Sequence, residues 1–245
     1  MRFRRRVGAA IAFAAAVFGV CLGVSSGPSW AGGDDAQLLL FSGGDIWSNG
    51  AFTNGGLLWS PGGLDREGFT LKTVLSGGLY RYHAGALADA QVVGTEYAAQ
   101  VLPGWRFKRD RLEVKVFLGV DLQNDRLSPD DPSSRLRGTY FGARTAIDLW
   151  YEPTAASMIA ADASLSSIAT SYSARLAYGW RMFERFYFGP EAQAYACDGY
   201  RQLRLGAHIT AFKTETLEWS LAAGLSEDSD RRTSPYLRFG VLTRR

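Results

Sequence analysis

From about residue 37 onward the chain alternates between apolar and polar positions. Over 172–182, Tyr172, Ala174, Leu176, Tyr178, Trp180 and Met182 share one side, and Ser173, Arg175, Ala177, Gly179 and Arg181 share the other. A helix would scatter both sets around its circumference, whereas a strand separates them. The segment 203–211 repeats the pattern, with Leu203, Leu205, Ala207, Ile209 and Ala211 opposing Gln202, Arg204, Gly206, His208 and Thr210. So does 112–122, where Leu112, Val114, Val116, Leu118, Val120 and Leu122 form the apolar side. Turn formers punctuate these runs: Asn49-Gly50, a type I′ hairpin dipeptide, then Pro61-Gly62-Gly63, Lys108–Arg111, Glu152-Pro153-Thr154 and Glu184-Arg185. The pattern predicts strands over 37–47, 51–60, 68–82, 91–107, 112–124, 136–151, 155–167, 171–183, 186–196, 200–212, 217–226 and 234–243. The expected fold is all-β: a single antiparallel up-and-down β-barrel of about twelve strands, of the outer-membrane type, in one domain over 32–245.

A soluble β-sandwich also alternates, but three features favour a membrane barrel. Many of the predicted strands exceed ten residues, and a tilted membrane-spanning strand needs about 9–11. The longest connections, 83–90, 125–135 and 227–233, are all odd-numbered, while most even-numbered ones are short. Aromatic residues gather at one set of strand ends: Trp59, Phe69, Trp105, Phe107, Tyr151, Phe183, Phe186, Phe212 and Trp219. The C-terminus argues the other way. Membrane barrels commonly finish on an aromatic residue, and this chain finishes on Thr243-Arg244-Arg245.

The first thirty-one residues read as targeting rather than fold. Arg2, Arg4, Arg5 and Arg6 precede an apolar run from Val7 to about Val24, and Ser29-Trp30-Ala31 offers a signal-peptidase site. Residues 1–31 are therefore expected to be a signal peptide, with passage through the inner membrane and an outer-membrane destination. The alternatives are an N-terminal membrane anchor, a lipoprotein at Cys21 despite the bulky Val20, and a twin-arginine signal at Arg4-Arg5-Arg6. Removing 1–31 takes away four of the 27 Lys and Arg and none of the 24 Asp and Glu, so the remainder is slightly acidic. The basic balance belongs to the leader, and no nucleic-acid partner is expected. Cys197 is left without an intramolecular disulfide partner, and no Cys/His metal spacing occurs. No apolar stretch after residue 31 reaches the roughly 18 residues of a membrane helix.

If the apolar side faces lipid, the polar side lines a lumen. That side carries Lys72, Glu96, Gln100, Arg106, Glu113, Lys115, Asp121, Arg144, Asp148 and Asp162, and then Arg175, Arg181, Glu191, Gln193, Gln202, Arg204, His208, Glu218 and Arg238. The two charge signs are similar in number. This fits either a packed interior of ion pairs or a polar channel or carbohydrate site. Small barrels are filled and barrels of about sixteen strands hold a pore, so about twelve lies between. Inner-face glycines such as Gly78, Gly94, Gly142 and Gly179 are expected to leave room locally. Only His83 and His208 could serve as a base, and neither lies in a nucleophile motif. No catalytic residue, cofactor site or metal site is expected. Gly43-Gly44, Gly55-Gly56 and Gly77-Gly78 lack the Lys-Ser/Thr of a phosphate loop and read as close strand contacts.

In their order, several segments resemble the BcsS family of cellulose biosynthesis proteins of alphaproteobacteria. These are Leu58-Trp59-Ser60-Pro61-Gly62-Gly63-Leu64, Leu102-Pro103-Gly104-Trp105-Arg106-Phe107-Lys108, Arg135-Leu136-Arg137-Gly138, Asp148-Leu149-Trp150-Tyr151-Glu152-Pro153, Ser171-Tyr172-Ser173-Ala174-Arg175, Phe188-Gly189-Pro190-Glu191 and Tyr200-Arg201-Gln202-Leu203-Arg204. The resemblance spans nearly all of the chain after the leader and implies a non-enzymatic accessory role in cellulose production or export at the outer membrane. It carries over no catalytic residues. The implied partners are a cellulose or glucan chain, other cellulose-secretion proteins and outer-membrane lipid. Two alternatives stand beside it: a narrow channel for small solutes, and a barrel enzyme acting on lipid or glycan. The connection around 125–135, with 83–90 and 227–233, is expected to form one outward surface. There Asp130, Asp131, Asp228 and Asp230 would hydrogen-bond sugar hydroxyls, and Tyr82 would stack on a pyranose ring.

Overall fold

A computed structural model of the chain describes residues 36–229 and 232–245. The expected signal peptide, 1–31, and Asp230 lie outside the described residues. The twelve strands are β1 (Leu38–Trp47), β2 (Gly50–Trp59), β3 (Gly68–Ala84), β4 (Ala90–Arg109), β5 (Leu112–Ser128), β6 (Gly138–Thr154), β7 (Ser157–Ser166), β8 (Ser171–Met182), β9 (Phe186–Cys197), β10 (Tyr200–Thr214), β11 (Leu217–Asp228) and β12 (Thr233–Arg244). Each pairs antiparallel with its neighbours in sequence, and β1 closes on β12 in a register running from Leu39 opposite Arg244 to Trp47 opposite Tyr236. Gln37 and Leu38 amides both donate to the Arg245 carbonyl, and the Arg245 amide donates to Leu38. These bonds extend the β1–β12 ladder to the last residue described. Helical structure among the described residues is confined to two three-residue 3-10 turns.

Connections of two or three residues dominate at the end that carries both termini, with 60–67 as the exception. The opposite end holds 85–89, 129–137, 167–170 and 229–232. Most strand ends shift by one to three residues from the sequence pattern, and two differences have a clear physical reason. Strand β5 continues four residues beyond 124, because Asp125 pairs with Glu96 and Arg126 with Thr95 across β4. These polar residues look like loop in sequence, yet they suit a strand end at an aqueous rim. The first hairpin also differs. Its turn is Ser48-Asn49, Gly50 already pairs with Trp47 in the ladder, and none of the three has a positive φ. The Asn-Gly pair does not build a type I′ turn here; Gly50 serves a packing purpose described below.

Alternation sorts the side chains into two environments. Outward positions carry Leu118, Phe141, Leu165, Leu176, Leu205 and Leu225, all more than half exposed. Trp59, Phe69, Trp105, Phe107, Tyr151, Phe183, Phe212 and Trp219 are exposed around the end with the termini, and Trp59 meets Phe69 edge-on at 6.5 Å. Phe212 reaches this girdle through a β-bulge between Ile209 and Phe212, where Ala211 takes φ 61°. One extra residue there turns the next side chain to the other face. An apolar belt flanked by an aromatic ring is the surface of a strand-built membrane protein.

That assignment predicts the effect of a charge at the middle of the belt. Leu118→Arg should destabilise the barrel by about 2–4 kcal/mol in lipid, read by equilibrium urea unfolding from vesicles. An unchanged midpoint would mean that Leu118 does not contact hydrocarbon.

Candidate functional site

The lumen encloses a cavity of about 1520 Å³ lined by residues of both rims. Lys72, Glu96, Arg106, Lys115, Arg144, Asp148, Arg175, Arg181 and Arg204 line it. Asp121, Glu191 and His208 are buried in its wall. Most of these charges neutralise one another. Asp121 accepts from Arg144 at 2.8 Å and from Ser166 at 2.7 Å. Glu191 accepts from Arg175 at 3.3 Å and also from Arg238, and Arg175 reaches Asp162 at 2.6 Å. Glu113 faces Lys115 and, at 3.6 Å, Arg106. Among the described residues, three pairs join strands that are not neighbours: Lys72 with Asp148 at 2.9 Å, Arg204 with Asp45 at 3.2 Å, and Arg238 with Glu191. Such pairs cross the lumen and narrow it. Taking charge out of water is costly unless it is paired, and most of these charges are paired within the wall.

At the end with the termini, the connection 60–67 folds inward. Leu64 is buried against Leu58, Leu102 and Phe117. Its amide donates to the Ala36 carbonyl at 2.6 Å. Next to it, Asp65 accepts from Lys108 at 2.7 Å and faces Arg244 at 3.8 Å. The hydrogen bond from Lys108, aided by the nearby cations, holds the Asp65 carboxyl below its ordinary pKa. A lowered carboxylate pKa contributes stability that is present above the unfolded value and lost as pH falls through the folded one.

The opposite mouth departs from the single outward surface expected of its loops. Asp131 is buried and turned into the cavity, accepting from the Tyr82 hydroxyl at 2.9 Å and from the Ser133 amide and hydroxyl. An aspartate that caps its own turn cannot also point outward. Asp130 stays outside, held bidentately by Arg137 at 3.0 and 2.6 Å. Asp228 faces the lumen and accepts from Asn49 at 3.1 Å. Tyr82 also lies inside, its ring nearly parallel to Tyr80 at 6.2 Å.

The polar pattern missed a row of inward rings. Phe41 pairs across strands with Gly56, Trp47 with Gly50, Phe52 with Gly78, and Tyr80 with Gly94. A Cβ on Gly50, Gly78 or Gly94 would lie 2.2–2.5 Å from the facing ring. Gly78 and Gly94 therefore do not open space in the lumen, because Phe52 and Tyr80 fill it. Gly142 and Gly179 are occupied likewise, by Ser167 with Ile168 and by Tyr187 with Met158. A ring laid over a glycine covers bare backbone and lies flat against the wall. The signal was present in sequence as aromatics on the polar side, but only the strand register shows the glycine opposite each.

The two histidines lack the arrangement of a catalytic base. His208 is buried, with one ring nitrogen at the Tyr178 carbonyl and the other at the Thr210 hydroxyl. His83 lies 3.2 Å from Arg232 at the mouth. Neither is hydrogen-bonded to a carboxylate among the described residues. No group of three potential metal ligands occurs among them either.

A family model described as cellulose biosynthesis protein BcsS matches residues 39–245. No curated protein matches the chain in sequence. Among solved structures, an outer membrane channel from Pseudomonas putida F1 superposes with a TM-score of 0.53 at 11% identity, covering 90% of this chain and 100% of the other. A mutant of the monoaromatic hydrocarbon channel TodX gives 0.51 at 8% identity, covering 87% and 91%. The monoaromatic hydrocarbon channel CymD gives 0.50 at 10% identity, covering 86% and 89%. At these identities the likeness is one of fold.

Two outcomes follow from the charge arrangement. Glu191→Ala leaves Arg175 and Arg238 facing each other and should cost about 3–5 kcal/mol in urea unfolding; a loss under about 1 kcal/mol would mean water already screens them. Acidification below about pH 4 should make the connection 60–67 cleavable by protease, and Asp65→Asn should be cleavable at neutral pH too. Protection of that variant equal to wild type would remove Asp65 as the tie.

Proposed function

The chain belongs to the BcsS family of cellulose biosynthesis proteins, and on that premise we propose that it is a non-enzymatic outer-membrane factor that assists cellulose export or anchoring. The family match over 39–245 carries the reading. The apolar belt and aromatic girdle support insertion in a membrane. The closed barrel, reached after export through a leader at 1–31, supports the outer membrane as that site. With termini and short turns in the periplasm, the mouth bearing Tyr82 and Asp131 faces outward. Both ring nitrogens of His208 are taken up in wall contacts, which supports a role without catalysis for that residue. Partners on this reading are a glucan chain, other secretion proteins and lipid.

The cavity reaching both rims favours one further reading, a narrow channel for small solutes. Planar-bilayer recording separates the two: steady single-channel conductance supports the channel, and its absence supports the accessory role.

Deleting the gene should reduce cellulose output while leaving other outer-membrane proteins in place. Replacing 129–134 by a Gly-Ser turn should lower output at normal barrel abundance, since it removes Asp131 from Tyr82. Replacing His83 and His208 should leave output intact. Wild-type cellulose in the deletion strain would contradict the proposal, and loss of cellulose in a folded histidine variant would point to catalysis.

A further inference from the structure

The aromatic row in the lumen has a direction and a position. Trp47 ends β1, Phe52 lies near the start of β2, and Tyr80 and Tyr82 lie near the end of β3, all close to the mouth remote from the termini. Trp47 and Phe52 are nearly parallel, 11° apart with centroids 5.8 Å from each other, and Tyr80 and Tyr82 are within 21° at 6.2 Å. Three of the four are backed by Gly50, Gly78 and Gly94, so one face of each ring meets the wall. All four line the cavity and are partly exposed.

Their surroundings restrict what such a shelf would hold. The Arg204 guanidinium lies 4.6 Å over the Trp47 ring, fixed by Asp45 and by Gln202 at 2.8 Å. Trp47 Nε1 is a buried donor with no acceptor. An unmet donor at a ring edge is the kind of group that a ligand oxygen satisfies. Carboxylates stand around the shelf: Asp45 is held by Arg204, Asp131 by Tyr82 with Ser133, and Asp125 by Tyr80 at 3.3 Å with Gln123, and Glu96 lines the cavity on the strand next to Tyr80. The site thus presents aromatic rings and polar edges with carboxylates held by neutral donors around them, which suits a neutral polyhydroxyl ligand over an anionic one. A lumen of about 1520 Å³ exceeds the roughly 300–1,000 Å³ of a small-molecule pocket. Near-parallel rings suit a flat, extended chain whose sugar rings present apolar C–H faces; a β-1,4-linked glucan has that shape, and an α-linked glucan curls.

We infer that Trp47, Phe52, Tyr80 and Tyr82 form a stacking shelf inside the outward mouth that binds a single neutral β-1,4-linked glucan chain, with Arg204 and Trp47 Nε1 meeting its hydroxyls. The inference rests on the proposed role in cellulose production and gives that role a binding site. It moves the sugar contact from the loop tips into the barrel.

The test uses the full protein, purified and folded in detergent, with cellohexaose as the probe and tryptophan fluorescence and calorimetry as readouts. Wild type should bind cellohexaose more tightly than maltohexaose and more tightly than an oligogalacturonate. Trp47→Ala should weaken cellohexaose binding by about tenfold, Trp47→Phe should restore most of it, and Trp105→Ala on the outer girdle should leave it unchanged. Where Trp47→Ala loses heat-modifiable migration on gels, Tyr82→Ala serves in its place, with a weakening in the same direction. No binding of cellohexaose, equal binding of maltohexaose, tighter binding of the anionic oligomer, or variants within twofold of wild type would each overturn the shelf. Cellulose output of the deletion strain is measured separately: reduced output with no cellohexaose binding rejects the shelf and keeps the accessory role, and unchanged output with binding rejects that role alone.

Discussion

Closure of β1 on β12 is the constraint on which the rest of the molecule depends. A sheet in hydrocarbon can leave no edge, because each unpaired N–H or C=O there costs several kcal/mol. The twelve-strand ring pairs every strand on both sides, and the C-terminal Arg244 and Arg245 complete the last pairing against Leu38 and Leu39. Once the ring is closed, period-two alternation leaves each side chain two choices, lipid or lumen. Leu118 and Leu176 go one way; Asp121, Arg175 and Glu191 go the other.

The inward set then has to satisfy itself. Polar side chains facing a confined space lose much of their water, so they pair, and several pair across the lumen. The Lys72–Asp148 and Arg204–Asp45 bridges tie strands three positions apart around the ring. Aromatic rings complete the lining, and Trp47, Phe52 and Tyr80 are laid over Gly50, Gly78 and Gly94 of the adjacent strands. The wall that results is laced with ion pairs and rings, unlike a simple water-filled bore. At one mouth the Leu64 cluster narrows it; at the other the Asp131 turn leans over it.

Much of this was legible in the sequence. Period-two alternation is strong in a two-environment barrel, and it located all twelve strands and placed charges from Lys72 to Arg238 on one face. What it could not read were the features that depend on register or on a turn's own hydrogen bonds. Asp125 and Arg126 look like loop, and only their partners Glu96 and Thr95 make them strand. Asn49-Gly50 carries a hairpin signal, yet the Trp47 ring occupies the space over Gly50 and the turn falls one residue earlier. Asp131 and Asp130 are adjacent and identical, and the Ser133 cap sends one inward while Arg137 holds the other outside. Trp47, Phe52 and Tyr80 become a row only when three strands are aligned.

The central claim is that one face of every strand meets lipid and the other lines a polar lumen. Single cysteines placed along β5 from Lys115 to Gln123, in a Cys197→Ser background and in vesicles of brominated lipid, test it most directly. A fluorophore attached at Val116, Leu118, Val120 or Leu122 should be quenched by the lipid, and one at Lys115, Phe117, Gly119, Asp121 or Gln123 should not, giving a quenching profile of period two. A flat profile, or quenching at the odd-numbered positions, would contradict the account.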